Sequence, residues 1–288
     1  MRTVCVTGAG GMTGAATVRR LLADGYTVIG ADTVPLPDSL PSQWSLPTFQ
    51  YTRCDLTDYG DTVEVLNGVD AVVHLAAVPA PTLRSPARTM NVNTLMNTNV
   101  FLAAAQLGLE RVVWASSETV LGLNFDAGNA PRYLPVDEDH GPFPTSTYAL
   151  SKVLGETSAR HVAEWTGIPF VGLRLSNVIR PEAYAQFPDA WADPEKRQFN
   201  LWSYIDVRDA AAACSLALSA VLEGARELII AAPETTMTQT TQELLDRYYP
   251  SVEVRRPLGT HEALLSSERA QELLGFTAQH SWHDHVSA

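Results

Sequence analysis

The chain has 288 residues, of which 45% are hydrophobic and 18% charged, a composition typical of a globular protein with a sizeable core. Its net charge of −12 and the lack of a Lys/Arg-rich run exclude a function in binding nucleic acid. No apolar run approaches the roughly 18 residues that a membrane span needs. The three cysteines are scattered without a metal-ligand spacing, and the strand pattern begins too early for a signal peptide. We therefore expect a cytoplasmic protein with reduced cysteines and no metal site.

Apolar, strand-like runs alternate with helical patterns over the first two thirds of the chain. The predicted strands cover residues 3–6, 26–31, 49–54, 71–75, 111–115 and 170–175. The predicted helices between them cover residues 12–23, 59–66, 92–107 and 148–165. Most of the strands are continuously apolar, which is typical of strands covered by helices on both faces. The alternation predicts an α/β fold with a Rossmann-type, doubly wound parallel sheet.

The regular alternation weakens after about residue 175. We predict one domain over residues 1–176 and mainly a small C-terminal lobe over 177–288, with about 203–232 returning to the sheet. Further helices are predicted at 207–221, 238–248 and 267–274. Proline-rich breaks predict loops at 35–47, 124–144 and 181–200, and loops of this length in compact domains are often functional.

The stretch TGAGGMTG lies between the first predicted strand and the first predicted helix. The fingerprint GxGxxG/A fails because Thr13 occupies its last position, whereas Gly8, Gly11 and Gly14 fit the spacing GxxGxxG. Such a turn lets backbone N–H groups approach a pyrophosphate at the start of the helix, near Met12. The stretch therefore predicts a site for a dinucleotide.

Acidic and small residues follow the next predicted strands. Asp32 ends the second strand, where a carboxylate binds a ribose diol and repels a 2′-phosphate, so the pattern favours NAD over NADP. Ligands of this fold lie beyond the carboxyl ends of the strands, and small residues there leave room for a flat cofactor. The predicted cofactor contacts at the next two strand ends are Asp55, Leu56, Leu75, Ala76 and Ala77.

Tyr148 and Lys152 are spaced i, i+4, which places both side chains on one face of a helix. A nearby ammonium lowers the pKa of a phenol, so Tyr148 is a candidate proton donor and acceptor, and Lys152 can also bind a ribose hydroxyl. Ser116 and Ser117 follow a strand, where a hydroxyl can hold the reacting substrate oxygen. The spacing alone also fits a surface pair, and a serine at this position also fits a helix cap or turn.

These motifs together resemble the extended short-chain dehydrogenase/reductase superfamily, in its NAD-dependent epimerase/dehydratase group. The matching stretches run in family order and read TGAGGMTG, CDL, HLAA, ASSETVLG, YALSK, LRLSNVIRP and ERAQELLGF, with Asp32 after the first of them. The resemblance implies an NAD-binding Rossmann domain over residues 1–176, a mainly substrate-binding lobe over 177–288, and NAD as cofactor. It also implies a homodimer formed through the two long helices.

The resemblance assigns roles to individual residues. Ser117 matches the catalytic hydroxyl, Tyr148 the acid/base and Lys152 its partner, so these three are the expected catalytic residues. Asn93 and Asn99 match asparagines that support the site, and Asn177 matches one near cofactor and substrate. The expected cofactor contacts then extend to Met12, Asn93, Ser116, Tyr148 and Lys152. The expected substrate contacts are Pro79, Ser117, Glu118, Asn177, Arg180 and Trp202.

The reaction is narrowed by departures from the family pattern. Dehydratases of this group carry Asp-Glu after the catalytic hydroxyl, whereas this chain has Glu118-Thr119, which argues against a dehydratase. Members that act on nucleotide sugars often carry Arg-Asp where this chain has Trp202-Ser203, which argues against a nucleotide-sugar substrate. The loop before Trp202 is short and has four acidic and two basic residues, which suits a diphosphate poorly. We therefore expect hydride transfer between NAD and a secondary hydroxyl or carbonyl of a small sugar or sugar acid. A sugar epimerase with tightly held NAD is the alternative, and a non-catalytic NAD sensor is a more remote one.

Overall fold

The computed structural model describes residues 2–35, 46–80, 82–126 and 128–286. Its strands are β1 (Thr3–Thr7), β2 (Thr27–Asp32), β3 (Phe49–Arg53), β4 (Ala71–His74), β5 (Arg111–Ala115), β6 (Tyr133–Leu134), β7 (Phe170–Leu175), β8 (Val178–Ile179), β9 (Ile205–Asp206), β10 (Ala225–Ile230) and β11 (Glu253–Val254). Its helices are α1 (Met12–Ala23), α2 (Tyr59–Leu66), α3 (Pro86–Leu107), α4 (Thr147–Thr166), α5 (Pro188–Trp191), α6 (Glu195–Gln198), α7 (Val207–Ser219), α8 (Thr241–Tyr248) and α9 (Glu268–Leu274). None of these helices is long and apolar enough to cross a membrane.

The central sheet confirms the predicted doubly wound parallel architecture. Seven of the described strands form it in the order β10-β7-β5-β4-β1-β2-β3, and all neighbours run parallel. The chain winds outward in one direction from β1 through β2 to β3, and in the other from β4 through β5 to β7 and β10. The direction of winding therefore reverses between β1 and β4. In sheets of this kind a ligand crevice opens at that reversal, beyond the carboxyl ends of the strands.

Helices cover both faces of the sheet, which explains why its strands are continuously apolar. Val4 and Val6 belong to one buried cluster with side chains of α1, α7 and α9. Cys5, between them, belongs to a second cluster with side chains of α2, α3 and α4. Successive strand residues point to opposite faces, so every position of β1 between Val4 and Thr7 is fully buried. Burying one such apolar side chain stabilises the fold by about 1.5–3 kcal/mol.

The C-terminal third contributes to the sheet and to a separate apolar cluster. β10 pairs with β7 at the sheet edge and α7 packs against α1, so residues 207–230 belong to the layers of the sheet. Outside the sheet, β8 pairs with β9 and β6 with β11, and a third cluster surrounds Trp202 and Leu134. The division into a cofactor domain and a substrate lobe remains a prediction.

Several element boundaries differ from the sequence prediction for physical reasons. The long helix α3 begins at Pro86 rather than at residue 92. Proline is favoured at the first helical position because the N–H that it lacks would have no partner within the helix there. α8 begins at Thr241, since the side chains of Thr240 and Glu243 form a reciprocal capping box. The predicted loop at 181–200 instead contains a 3₁₀ turn (Pro181–Gln186) followed by α5 and α6. Most of the predicted loop at 35–47 lies outside the described residues.

Candidate active site

The glycine turn after β1 has the geometry of an anion cradle. Gly8 adopts a φ of +69°, and the N–H of Gly11 donates to its carbonyl oxygen at 2.9 Å. A Cβ on Gly14 would overlap the Gly8 carbonyl, so only glycine lets α1 approach the turn this closely. α1 begins at Met12 with Gly11 as its N-cap, which offers no capping side chain. The N–H groups of its first turn are therefore free to meet an anion such as a pyrophosphate.

Asp32 lies at the end of β2 beside this turn. Its Oδ2 accepts the N–H of Gly10 at 3.0 Å and its Oδ1 accepts the N–H of Val34 at 3.3 Å. The carboxylate is half-buried, so it retains a face toward the crevice. Arg53 was not predicted as a site residue. It lies opposite Asp32 in the register of the parallel strands β2 and β3, and its Nε donates to the Thr33 carbonyl at 3.1 Å. The strand register, which a linear pattern does not reveal, brings this cation next to Asp32.

A cavity of about 760 Å³ opens at the reversal of the sheet between β1 and β4. Every predicted cofactor residue of the glycine turn and of the ends of β2, β3 and β4 lines it. These are Gly8, Gly11, Met12, Gly14, Asp32, Asp55, Leu56, Leu75, Ala76 and Ala77. Pro79, predicted as a substrate contact, lines it as well, together with Arg84 just before α3 and Arg88 in the first turn of α3. The cradle, the carboxylate and the small residues fit an NAD molecule.

A buried network fixes the end of β4 against β1. Oγ1 of Thr7 accepts the N–H groups of Leu75 at 3.2 Å and Ala76 at 3.3 Å, and bonds Nδ1 of His74 at 2.7 Å. Nε2 of His74 lies 3.1 Å from Oδ1 of Asn97. Burial lowers the pKa of His74 to about 3, so the ring is neutral. A neutral ring accepts from the Thr7 hydroxyl and donates to Asn97, and this network holds the backbone that lines the cavity.

Ser117, Tyr148 and Lys152 meet at the next strand end, where β5 is the neighbour of β4. Ser117 caps a 3₁₀ turn (Glu118–Leu121) that follows β5, and its Oγ accepts from Thr119. Tyr148 lies in the first turn of α4, which Ser146 caps. The Nζ of Lys152 stands 5.6 Å from the centre of the Tyr148 ring. These side chains are all at least nine-tenths buried.

The protonation of this group differs from the sequence prediction. Burial raises the pKa of Tyr148 to about 12, and the nearby Ser117 hydroxyl lowers the pKa only in part. The phenol pKa is thus raised overall, whereas a lowering by Lys152 was expected. The ammonium instead donates to the Ala115 carbonyl at 2.7 Å, and burial lowers the pKa of Lys152 to about 8. Desolvation dominates both pKa shifts because both side chains lose contact with water.

The hydroxyl of Ser116 is bound within the protein, and Ser116 is not among the residues that line the cofactor cavity, so its role as a cofactor contact stays a prediction. Its hydroxyl donates to Oε1 of Glu156 at 2.6 Å. Glu156 in turn forms a two-pronged ion pair with Arg174, each bond being 2.9 Å long, and both side chains are buried. The three residues tie α4 to the ends of β5 and β7. Ser116 thus supports the turn that carries Ser117.

Asn93 also supports the site from beneath rather than lining the cavity. Its Oδ1 accepts the N–H of Val78 at 2.8 Å, and its Nδ2 donates to the Val78 carbonyl at 3.1 Å. Asn99 donates through Nδ2 to the Leu56 carbonyl at 2.8 Å. Both amides thus hold backbone beyond a strand end, Asn93 after β4 and Asn99 after β3, which fits the supporting role expected of both. A direct contact between Asn93 and the cofactor stays a prediction.

The predicted substrate residues of the C-terminal lobe have different surroundings. Trp202 is fully buried, and its indole N–H donates to the Pro194 carbonyl at 2.8 Å, so its side chain has no exposed surface here and its substrate contact stays a prediction. Oδ1 of Asn177 accepts a hydrogen bond from Nη2 of Arg197 at 3.1 Å. Arg180 is exposed.

Glu118, the last predicted substrate residue, is buried behind Ser117. Its Oε2 accepts the hydroxyl of Ser176 at 2.6 Å, and its Oε1 accepts Nδ2 of Asn200 at 3.2 Å. Both carboxylate oxygens are thus engaged by the protein itself rather than directed into an open pocket. Within the described part of the chain, no group of three or more His, Cys, Asp or Glu side chains is arranged to hold a metal ion.

Comparisons with known proteins agree with this geometry. The NAD-dependent glucose-6-phosphate dehydrogenase of Haloferax volcanii is 30% identical over 65% of this chain and 74% of its own length. The putative UDP-glucose 4-epimerase of Methanocaldococcus jannaschii is 31% identical over 61% of this chain and 55% of its own length, so the match spans about half of that relative. The structure of MoeE5 in complex with UDP-glucose and NAD has a TM-score of 0.70 and 25% identity, and the match covers 98% of this chain and 95% of MoeE5.

A family model gives the broadest match. The model described as NAD dependent epimerase/dehydratase family matches residues 4–231, which include the glycine turn, Asp32 and the Ser117, Tyr148 and Lys152 group. The matched region also includes every strand of the central sheet from β1 to β10. The chain therefore belongs to the NAD-dependent epimerase/dehydratase family, and NAD is its cofactor.

Proposed function

We propose that the chain is an NAD-dependent dehydrogenase that oxidises a secondary hydroxyl of a small sugar or sugar acid to a carbonyl. One observation carries the proposal. The buried group of Ser117, Tyr148 and Lys152 lies at the end of β5, one strand along the same sheet edge from a cavity suited to NAD. An acid/base and a hydroxyl next to a dinucleotide site are what alcohol oxidation requires.

Each residue of the site has a distinct part in this proposal. The glycine turn and the start of α1 hold the pyrophosphate, and Asp32 binds the adenosine ribose. NAD bound there supplies a hydride acceptor for the carbinol carbon. Ser117 holds the substrate hydroxyl, and Tyr148 in its phenolate form takes the hydroxyl proton as the carbonyl forms. The Lys152 ammonium stabilises that phenolate and binds the second ribose.

The loop before Trp202 supports a small substrate rather than a nucleotide sugar. In the fully described segment 180–202, Lys196 donates to the Asp189 carbonyl at 3.0 Å. Arg197 donates to Asn177, Ser203 and Thr236, each at 3.1 Å. Both basic residues of the loop thus donate hydrogen bonds within the protein. The exposed Arg180 at the start of this segment is left to bind the carboxylate of a sugar acid.

A sugar epimerase that retains its NAD is the second candidate. The similarity to a putative UDP-glucose 4-epimerase favours it, because hydride abstraction with a tyrosine base begins both reactions. A dehydrogenase releases NADH, whereas an epimerase returns the hydride to its substrate. A non-catalytic sensor is a weaker candidate, since Ser117, Tyr148 and Lys152 are all present.

The test is an assay of the purified protein with excess NAD and a panel of free sugars, uronic acids and UDP-sugars. We expect net NADH absorbance with a free sugar or uronic acid, and its loss in Tyr148→Phe with NAD affinity retained. Interconversion of UDP-sugars without net NADH would replace the dehydrogenase proposal by the epimerase one. A Tyr148→Phe variant as active as the unsubstituted protein would remove Tyr148 from its role.

We further propose that the chain forms a homodimer through α3 and α4. Leu95 and Leu102, seven residues apart on α3, are 44% and 41% exposed, and Trp165 near the end of α4 is 72% exposed. Large apolar side chains on two adjacent helices favour a second copy of the same face. Light scattering should give twice the mass of one chain, and Leu95→Glu should return it to the mass of a monomer.

A cytoplasmic location is likewise a proposal. The three cysteines, Cys5, Cys54 and Cys214, are buried as free thiols, which is typical of proteins in reducing compartments. Burial raises the pKa of all three, so none is poised to react. Fractionation of cells that express the tagged full chain tests the location.

A further inference from the structure

Glu118 joins the catalytic turn to the substrate side of the molecule. It follows Ser117 directly and is only 5% exposed. Its carboxylate accepts from Ser176, just after β7, and from Asn200, just after α6. Asn200 is fully buried and also donates to the Ser203 carbonyl at 2.8 Å. One carboxylate thus holds three separate chain segments around the candidate base.

The segment on the far side of this carboxylate is conformationally strained. Leu201 and Trp202 follow Asn200 with φ values of +58° and +56°, a region that side chains with a Cβ rarely adopt. Such a residue is strained and persists only where its surroundings fix it. The bonds of Asn200 to Glu118 and Ser203 are among the contacts that fix this turn. The geometry around Glu118 is therefore specific rather than incidental.

Two titratable groups face Glu118 within the described residues. Tyr148 approaches from α4, and the negative charge of Glu118 raises the pKa of its phenol. Arg197 approaches from α6, and its guanidinium favours the charged carboxylate. Ser176, Asn177 and Asn200 contribute neutral hydrogen bonds that also favour the charge. Burial nevertheless outweighs them and raises the pKa of Glu118 to about 7, so it changes charge near neutral pH.

We propose that Glu118 is a positioning residue of the reaction: its buried carboxylate ties the Ser117 turn to the segments around Ser176 and Asn200, and its charge acts on the neighbouring Tyr148 phenol. In the charged state it opposes the phenolate that abstracts the substrate proton. In the neutral state that opposition disappears. A substrate that repacks Asn200 or Ser176 would thus change the basicity of Tyr148 without touching it. The inference rests on the role proposed for Tyr148, but not on any particular substrate.

Fluorine NMR of the NAD-saturated protein labelled with fluorotyrosine tests this without turnover. The chain has nine tyrosines, and Tyr148→Phe identifies the signal of Tyr148. Fluorination makes the phenol more acidic, which moves its titration to lower pH. We expect two steps in this signal, one near pH 7 from Glu118 and one at higher pH from Tyr148 itself. In Glu118→Gln the first step should vanish and the second should fall by about one pH unit.

Glu118→Asp is the matched control, since it keeps the charge. The signal of Tyr148 in Glu118→Asp should retain both steps. The step at lower pH should be displaced, because the shorter side chain changes the hydrogen bonds of the carboxylate. An unchanged upper step in a folded Glu118→Gln protein would overturn the proposal, because a purely structural residue moves the melting temperature and not this titration. If Glu118→Gln does not fold, the lower step in the unsubstituted protein decides. The proposal would equally be overturned if the unsubstituted protein showed no lower step. It would also be overturned if the lower step stayed at the same pH in Glu118→Asp, because a nearby histidine would produce that result.

Discussion

Lys152 lies one helical turn after Tyr148, yet its ammonium donates to the Ala115 carbonyl at 2.7 Å and stands 5.6 Å from the centre of the phenol ring. The lysine therefore joins α4 to the end of β5, the strand that leads into Ser117. Its charge is held close to the phenol by this backbone bond rather than by direct contact. Lys152 thus fixes the distance between the candidate base and the candidate hydroxyl.

Lys152→Met should lower kcat/KM by about a hundredfold or more, the usual contribution of a group that assists acid/base catalysis. The methionine keeps the apolar stem but removes the charge and the bond to Ala115. Because burial lowers the pKa of Lys152 to about 8, activity of the unsubstituted protein should also decline as pH rises through that value and the ammonium is lost. Steady-state kinetics across pH measure both effects. Arg160→Met, an exposed charge loss on the same helix, is the control and should change neither.

Asp32→Asn should raise the Kd for NAD by about tenfold or more, since a hydrogen bond to a charged group contributes roughly 1.5–3 kcal/mol. The amide oxygen can still accept the N–H of Gly10, so the glycine turn is retained. The loss of charge also removes repulsion of a 2′-phosphate, and Arg53 stands on the adjacent strand. Affinity for NADP should therefore rise relative to NAD. Calorimetric titration with both dinucleotides checks this, and an unchanged preference would contradict the role of Asp32.

The sequence predicted those parts of the site that depend on local chain geometry. Gly8, Gly11 and Gly14 form one turn, Tyr148 and Lys152 share one helix face, and parallel strands bring their ends to one edge. The directions of single side chains were harder to predict, because tertiary neighbours decide them. Ser116 and Ser117 are adjacent, yet Ser116 turns to Glu156, a residue forty positions later. Arg53 was missed for the same reason, since its place beside Asp32 follows from strand register.

Ser116→Ala should leave the affinity for NAD unchanged and lower the free energy of unfolding by about 1.5–3 kcal/mol, the usual contribution of a hydrogen bond to a charged group. The reason is that its hydroxyl donates to Glu156 and not into the cavity. Arg174→Met should cost more, about 3–5 kcal/mol, because it leaves the buried Glu156 charge without its partner. Urea unfolding and NAD titration of both variants distinguish the two effects. Weaker NAD binding in a stable Ser116→Ala protein would restore Ser116 as a cofactor contact.

Glu118→Gln should change how stability depends on pH. The pKa of Glu118 is raised from an ordinary 4.5 to about 7, so between these values the folded protein retains a proton that the unfolded chain has lost. Its contribution is therefore fully present below about pH 4.5 and is lost as pH rises through about 7. For a shift of this size the loss is about 3 kcal/mol.

The glutamine cannot ionise, so the unsubstituted protein should lose stability relative to Glu118→Gln as pH rises from 5 to 8. Urea unfolding of both proteins at several pH values measures this difference. Glu118→Asp, which still ionises, should follow the unsubstituted protein in direction. A constant difference between the unsubstituted protein and Glu118→Gln at every pH would mean that the carboxyl group does not change charge in this window. Glu118 would then be a fixed structural charge, and its coupling to Tyr148 would not vary with pH near neutrality.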